Sequence, residues 1–508
     1  MAGLGDALST ANSGLQTTQR GLATVGNNIA NVDTPGYTRQ RPVLETRGPT
    51  VDTTGAIGNG VDQISVERIL DKFVARRLVS ETSRLSELDT RASIYTEVEN
   101  IVNDQTSGGV DTALREFYGS LESLASSATP GQPGERSEAL GNAQDLVDTV
   151  NRFDAQLRGL QREVDRAITG ALPAINDLTR NIAELNVEIV RAETQAPAND
   201  LRDRQEQLIL DLAERVEITT RVDESGMTSI RIKGGAPLVD GDLVNELVAA
   251  VVPSSANPFD ATFSQIYYTS SGGTFDVTAQ IRGGELGGLI ESRDSVIAGA
   301  IRDLDTLAYT VADSFNERHS AGYGLADDVQ RDFFVGLPDG DSTDDFARSF
   351  AIAADVDPGQ GGSLDNIAVG ATSTGPGQGA AANDTGIVDP ANPANNAGAK
   401  WFKELQRDDV VNYISGDVAG SPTGGTLSVT EAFAEFGATI GQDSASTGRQ
   451  LAQQESVLGS LQDRRDSVSA VSIDEEVSDL VRLQTNFQAN ARVITTVRTL
   501  FQALLDAF

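Results

Sequence analysis

Residues 4–29 read LGDALSTANSGLQTTQRGLATVGNNI, and the spacing of their apolar residues decides the fold of the chain. The large aliphatic side chains fall seven residues apart, at Leu8, Leu15, Leu22 and Ile29. A companion row, displaced by three and four residues, contains Leu4, Ala11, Thr18 and Val25. Two rows at this spacing form one apolar stripe on a helix, as in coiled coils. The stretch therefore predicts an amphipathic helix that needs a partner.

The C-terminal end carries a matching stripe. Its apolar residues again recur at intervals of seven, at Leu480, Phe487, Ile494, Phe501 and Phe508. Aromatic residues make up only 5% of the chain, so phenylalanines left in water on one helix would be costly. We therefore predict that both stripes are assembly interfaces. They pair with each other within one chain, or they pack mainly against other copies.

The middle of the chain predicts more helices and two insertions. Heptad rows recur through about 78–102, 146–189 and 286–320, which is typical of long helices packed as an elongated bundle. We expect Pro173 to interrupt one of them. Short β-branched runs indicate strands within 216–285. Residues 331–427 are rich in Gly, Pro, Asn and Ala, so we expect loops or loose β structure that faces solvent.

These patterns predict a mainly α protein with inserted β regions, in which the terminal helices pack as a coiled coil. The predicted parts are inner core helices plus an extended arm (1–60 and 470–508), a helical bundle (61–215, 286–330 and 428–469), a small β subdomain (216–285) and an outer variable β or loop domain (331–427).

Composition narrows the functional classes. The 508 residues carry a formal net charge of −35, with one histidine and no cysteine. A chain this acidic repels nucleic acid and anionic membrane surfaces. Without cysteine it can form no disulfide, and His319 alone cannot build a multi-histidine metal site. No apolar run reaches the roughly 18–20 residues that span a bilayer. Residues 1–6 lack the features of a cleaved secretory signal.

No set of residues predicts catalysis, a cofactor or a metal ion. The acidic loop 339–345 departs from the pattern of calcium-binding loops, so we interpret it as a solvated loop. We interpret the acidic residues 474–476 as stabilising the positive end of a helix dipole. His319 stands near the end of a predicted helix, which favours a surface histidine.

Two terminal segments resemble the signatures of one family. Residues 27–40, NNIANVDTPGYTRQ, closely resemble the N-terminal signature of bacterial flagellar axial proteins, which include rod, hook and hook-associated proteins. Residues 484–494, QTNFQANARVI, resemble the matching C-terminal signature. The resemblance marks a turn that leads out of the first helix, formed by Asn28, Asn31, Pro35, Gly36 and Tyr37. We expect Pro35 and Gly36 to set its direction and Tyr37 to anchor it by packing.

Internal segments narrow the resemblance. Residues 199–205, 234–239, 283–289 and 313–319 are similar to segments of the hook-associated protein 1 branch of this family. The resemblance covers about 1–60, 75–335 and 425–508, and it fails at 336–424.

The resemblance implies a structural role without enzymatic activity. Such a protein joins the hook to the filament, with hook protein on one side and hook-associated protein 3 on the other. It is exported through the flagellar type III apparatus without cleavage, a chaperone holds its C-terminal helix, and it functions outside the cell. The alternatives are hook protein or another axial protein, or a secreted effector or enzyme that carries 331–427 on an axial scaffold.

Overall fold

The structure is a computed structural model of the chain. It describes residues 2–52, 55–102, 109–126, 133–251, 263–270, 272–322, 324–325, 329–336, 343–370, 397–406, 411–412 and 426–506.

The described residues form eleven α-helices, numbered here in chain order: α1 (Ala2–Ala30), α2 (Lys72–Val102), α3 (Val110–Ser126), α4 (Pro133–Glu193), α5 (Asn199–Arg215), α6 (Gly284–Glu291), α7 (Ala298–Ser320), α8 (Phe346–Ser349), α9 (Ala397–Leu405), α10 (Val429–Ser469) and α11 (Ile473–Asp506). A π-helical segment, Ser292–Ile297, joins α6 to α7.

The described strands are β1 (Gln40–Thr46), β2 (Thr50–Asp52), β3 (Gly55–Ile57), β4 (Val61–Arg68), β5 (Ile218–Val222), β6 (Thr228–Ile232), β7 (Pro237–Asp240), β8 (Leu243–Val244), β9 (Glu246–Val251), β10 (Ser264–Ser270), β11 (Gly273–Asp276), β12 (Val411–Asn412) and β13 (Thr426–Leu427). Every pairing between them is antiparallel.

The two ends of the chain pair as long antiparallel helices. Helix α1 packs along α11, with Gly14 beside Asn490 and Gly21 beside Leu483. A Cβ atom at Gly14 would lie only 2.9 Å from Nδ2 of Asn490, so a larger residue would push the Asn490 side chain aside. The predicted coiled-coil packing of the terminal helices is thus confirmed. We call α1 and α11 the terminal helix pair.

The other side of α1 contacts a β-hairpin. Strands β1 and β4 pair antiparallel, and both pack on α1. The backbone N–H of Val61 donates to Oγ of Ser13 at 3.3 Å. Helix α1 therefore lies between α11 and the hairpin, which explains why it buries more side chains than α11 does.

The bundle is built around α4, which has 61 residues and is roughly 90 Å long at 1.5 Å per residue. Helices α3 and α5 pack on it, and α2 packs on α10. The expectation that Pro173 interrupts this helix is wrong, because α4 continues through it. Leu172 and Ile175 on either side are buried. Their burial, about 1.5–3 kcal/mol each, offsets the roughly 3 kcal/mol cost of an interior proline.

Two small sheets lie between α5 and α6. Strands β5 to β8 form one sheet in sequence order, and β9, β10 and β11 form another with β10 in the middle. Asn176 on α4 holds the second sheet, since its amide donates to the carbonyl of Leu247 and accepts from the N–H of Leu247, both at 2.9 Å. Strands thus occur within 216–285 as the β-branched runs predicted, except that Thr278–Gln280 forms a short 3₁₀ helix. The limits of the predicted domains stay predictions.

Part of the region that we expected to face solvent belongs to the main core. Phe315 on α7 stacks on Phe402 of α9, with ring centroids 4.5 Å apart. The phenylalanines of this cluster, each at most 2% exposed, are Phe117, Phe315, Phe333, Phe334, Phe346, Phe350 and Phe402. The expectation of a solvent-facing outer region is therefore wrong for the parts of 331–427 that contribute Phe333, Phe334, Phe346, Phe350 and Phe402. Residues 371–396 lie outside the described ranges.

Candidate assembly interface

The predicted stripe of α1 is only half-buried in the single chain. Leu8, Leu15, Leu22 and Ile29 are all of intermediate exposure. The buried row is the companion one, in which Ala11, Thr18 and Val25 are 4%, 6% and 5% exposed. The smaller residues thus face into the protein, and the large aliphatic residues lie at the edge of the contact, where they keep apolar surface for a further partner.

The predicted stripe of α11 shows the same arrangement. Leu480, Phe487, Ile494 and Phe501 are of intermediate exposure, while Val497, three residues after Ile494, is buried. Phe508 lies outside the described residues. Both stripes therefore meet in one structure, and neither is fully covered.

A second exposed apolar row on α11, which starts at Ile473 in the heptad row and continues through Val477 and Val481, was missed by the sequence analysis. Ile473, Val477 and Val481 are 52%, 47% and 56% exposed, and they lie one above another at intervals of four. Val493 and Leu500, seven residues apart, are also exposed. The interval of four was visible in the sequence, but the stronger heptad row concealed it.

The turn after α1 is built by the asparagines of the N-terminal signature. Nδ2 of Asn31 donates to the carbonyl of Asn27 at 3.0 Å, and Thr34 donates to Oδ1 of Asn31 at 3.2 Å. Gly36 has φ +79°, which favours glycine, while Pro35 is exposed at the tip. These contacts agree with the predicted turn, although the roles of its residues remain proposals.

Asn28 is the centre of the joint between the two ends of the chain. It is 2% exposed, and its Oδ1 accepts from the hydroxyl of Tyr37 at 2.9 Å and from the N–H of Gln40 at 3.1 Å. Its Nδ2 donates to the carbonyl of Gln40 and to Oε2 of Glu476, both at 3.0 Å. The side-chain amide thus uses both of its groups to hold strand β1 and helix α11 against α1.

Glu476 completes this joint. The carboxylate is 1% exposed, and its Oε1 accepts from Nε of Arg39 at 2.6 Å. Arg39 also reaches Glu475, and its backbone N–H donates to the carbonyl of Ser469. Our interpretation of 474–476 as helix-dipole residues alone is therefore incomplete. No local pattern could reveal this ion pair, since its partners are hundreds of residues apart. We call Asn28, Arg39 and Glu476 the terminal joint.

The turn also docks on α5, which begins with the internal segment 199–205. Oδ2 of Asp203 accepts from the N–H of Thr38 at 3.1 Å, and its Oδ1 accepts from Arg68 at 2.6 Å. Nε2 of Gln40 donates to Asp200 at 2.9 Å. Burial and the nearby carboxylates of Asp200 and Asp203 raise the pKa of Tyr37 to about 12, so the phenol stays protonated. Two of the quoted segments, 27–40 and 199–205, therefore meet here.

His319 is a core residue, and the expectation of a surface histidine is wrong. It is 1% exposed; its Nδ1 donates to the carbonyl of Arg331 at 2.7 Å, and its Nε2 accepts from the N–H of Ala368 at 3.0 Å. Burial lowers its pKa to about 4, with a smaller contribution from Arg136. The neutral imidazole therefore connects α7 by hydrogen bonds to two loops of the region 331–370.

Within the described ranges there is neither a cluster of metal-binding side chains nor a helix that could span a membrane. Within them, no group of three histidine or acidic side chains is placed to hold a metal ion. No helix described there carries an apolar stretch long enough to cross a bilayer. Of the acidic loop, 339–342 lie outside the described residues, and Asp345 forms an ion pair with Arg158 at 2.6 Å.

Three family models match the chain. The model of the flagella basal body rod protein matches residues 8–38, and the C-terminal model of the flagellar basal body rod FlgEFG protein matches 464–507. The model of the helical domain of flagellar hook-associated protein FlgK matches 95–334. The rod models thus cover most of the terminal helix pair, and the FlgK model covers most of the bundle with both small sheets.

Full-length relatives agree with these models. Flagellar hook-associated protein 1 of Salmonella typhimurium is 29% identical over 98% of this chain and 99% of its own length. Those of Escherichia coli and Bacillus subtilis are 27% and 26% identical, over 98% of this chain and 99% and 97% of theirs.

A solved structure has a similar fold. The flagellar hook junction protein FlgK from Burkholderia pseudomallei superposes with a TM-score of 0.61 at 17% identity, over 78% of this chain and all of that one. The matching terminal models, the FlgK helical-domain model and the full-length relatives agree with the joined chain ends, and the chain is similar to flagellar hook-associated protein 1 over nearly its whole length.

Proposed function

We propose that this protein is a structural subunit of the junction between the flagellar hook and filament, and that it assembles through its terminal helix pair. The observation that carries the proposal is the terminal joint, in which the signature at one end of the chain bonds to the helix at the other end. Half-buried stripes and the exposed face of α11 leave apolar surface for neighbouring copies.

Assembly through this pair has a physical basis. Helix α11 buries only Glu476 and Val497 in the described chain, so it gains little stability from its own subunit. Most of the stability of a helix in a protein comes from the packing of its amphipathic face, and α11 has little of that packing within its own subunit. The pair is therefore loosely held in the monomer, or held by a chaperone, and it becomes fully ordered when neighbours cover its stripes.

The remaining parts of the proposal come from the family. Hook protein contacts the junction on one side and hook-associated protein 3 on the other. The chain leaves the cell through the flagellar type III apparatus without cleavage, with a chaperone on its C-terminal helix, and it functions outside the cell. It needs no enzymatic activity or cofactor, since the role is mechanical.

Electron microscopy of cells that lack the protein tests this function, together with an assay of flagellin in the medium. We expect hooks without filaments and flagellin shed into the medium. Absent hooks would instead assign the chain to the rod or hook. Intact filaments would overturn the junction role and direct attention to region 331–427.

A further inference from the structure

An open groove runs between α2, α5 and α10, on the bundle rather than on the terminal helix pair. It encloses about 430 Å³, and its floor is formed by leucines from all three helices. We call it the leucine groove and define it by Leu78, Leu85, Leu210, Leu451 and Leu458. At one end it continues into a smaller cavity of about 240 Å³, which the turn 32–38 lines.

The floor of the groove has a small apolar cluster of its own, which Leu210 connects to the main core. Leu78 and Leu458 are buried and form a small cluster with Val74, apart from the large core cluster. Leu85, Leu210 and Leu451 are only half-buried. A row of half-exposed leucines beside a cavity is apolar surface that the chain itself does not cover.

The rim of the groove is acidic. Asp89, Glu214 and Glu455 are exposed there, one on each of the three helices. The single basic residue of the lining is Arg465, which already pairs with Asp466 at 2.9 Å. Partial desolvation and the charge of Asp211 raise the pKa of Glu214, as expected where opposing positive charge is weak. The rim therefore favours a positively charged occupant.

The dimensions of the groove suit a helix. Its lining runs over 78–89 on α2 and 451–465 on α10, or about 16 and 21 Å at 1.5 Å per residue. This is three to four helical turns. An amphipathic helix of that length presents apolar side chains at positions i, i+3, i+4 and i+7, the usual anchors for binding in a groove.

We propose that the leucine groove binds an amphipathic helix of another protein, with leucine-like side chains on one face and arginine or lysine along its borders. The acidic rim supplies the complementarity. The inference goes beyond the junction function, since assembly through the terminal helix pair does not require this groove.

The test uses a defined probe on the full chain. The probe is a fluorescein-labelled 14-residue peptide of Leu and Lys, with Leu at i, i+3, i+4 and i+7, and fluorescence anisotropy measures its binding. A peptide of the same composition, scrambled to break the apolar face, measures non-specific attraction to an acidic chain. We expect the amphipathic peptide to bind at least about tenfold more tightly than the scrambled one.

Matched variants locate the binding. The triple substitution Asp89→Asn, Glu214→Gln and Glu455→Gln removes the rim charge and should weaken binding about tenfold. The control triple Glu97→Gln, Glu188→Gln and Asp463→Asn removes three exposed charges outside the groove and should change binding less than about twofold.

A third variant blocks the groove without changing charge. Since the chain has no cysteine, Thr82→Cys on the groove wall can be labelled with a bulky neutral maleimide. Labelling should abolish specific binding and leave the unlabelled Thr82→Cys protein competent. The proposal would be overturned if the scrambled peptide bound as tightly as the amphipathic one. It would also be overturned if both triple variants lost the same affinity, or if the maleimide label did not change binding. So would a dimer in sedimentation that the rim triple dissociates, because the groove would then belong to a second copy.

Discussion

Glu476 holds a buried negative charge at the point where the two ends of the chain meet. We expect Glu476→Gln to leave Arg39 without its buried counter-charge and to lower the free energy of opening of the terminal helix pair by about 3 kcal/mol. Native-state hydrogen exchange of residues 11–28 and 476–497 measures this quantity.

The neighbouring carboxylate supplies the control. Glu475 also pairs with Arg39, but its side chain is 63% exposed. Glu475→Gln should therefore change the opening free energy by less than about 1 kcal/mol, as for other exposed pairs. Equal effects of the two substitutions would mean that the buried contact to Asn28 and Arg39 does not hold the pair together.

His319 makes the stability of the core depend on pH. Its pKa is about 4 in the folded chain and near 6.5 when unfolded, so between these values only the unfolded chain binds the proton. Stability is therefore complete above pH 6.5 and is lost as the pH falls towards 4, by roughly 3 kcal/mol in total.

The measurement compares wild type with His319→Gln in urea at pH 4.5 and 7.5. Fluorescence of Trp401, the single tryptophan and the neighbour of Phe402 in the aromatic cluster, reports the transition. The variant should be less stable at pH 7.5, because it loses a buried hydrogen bond, but it should lose less stability on acidification. All other groups titrate alike in both proteins. If the free energy of unfolding fell by the same amount on acidification in both, His319 would not be the source of the pH dependence.

Among the elements, α11 and α4 are expected to differ most in protection. Helix α4 buries residues along its whole length, whereas α11 buries Glu476 and Val497. Amide exchange in the free monomer should therefore be orders of magnitude faster in α11 than in the centre of α4. Equal protection in both helices would contradict folding on assembly.

The sequence predicted the elements better than it predicted their contacts. Heptad spacing identified α1, α11 and the bundle helices, because one period of seven is a local property. The same spacing could not tell that Ala11 and Val25 face inward while Leu15 stays half-exposed, since that choice depends on the close approach of α11 at Gly14.

Contacts between distant segments were beyond any local pattern. Arg39 and Glu476 carry no sequence period that connects them, although each lies in or near a signature. His319 was misjudged because its partners, Arg331 and Ala368, come from loops without a periodic pattern. The sequence therefore predicted the two stripes and the turn of the candidate site. The terminal joint that connects them was found only in the structure.

For the whole molecule, the two stripes should decide incorporation into the flagellum. The double substitution Leu15→Asp with Ile494→Asp places charge on half-buried positions of both helices, which neighbouring copies would have to desolvate. We expect a soluble protein with a normal bundle that is absent from isolated hook–filament structures. The control double, Val222→Asp with Leu243→Asp, changes exposed residues of the small sheet and should incorporate normally.

The antiparallel pairing of α1 with α11 also means that α1 is synthesised long before its partner helix. Asn490 leaves the ribosome roughly 470 residues after Gly14, and at 5–20 residues per second the delay is on the order of 20–100 s. Throughout that interval α1 has no intrachain helix to cover its stripe. Every partly translated chain thus displays the side of α1 that α11 would cover, and any early stop before α11 makes that display permanent.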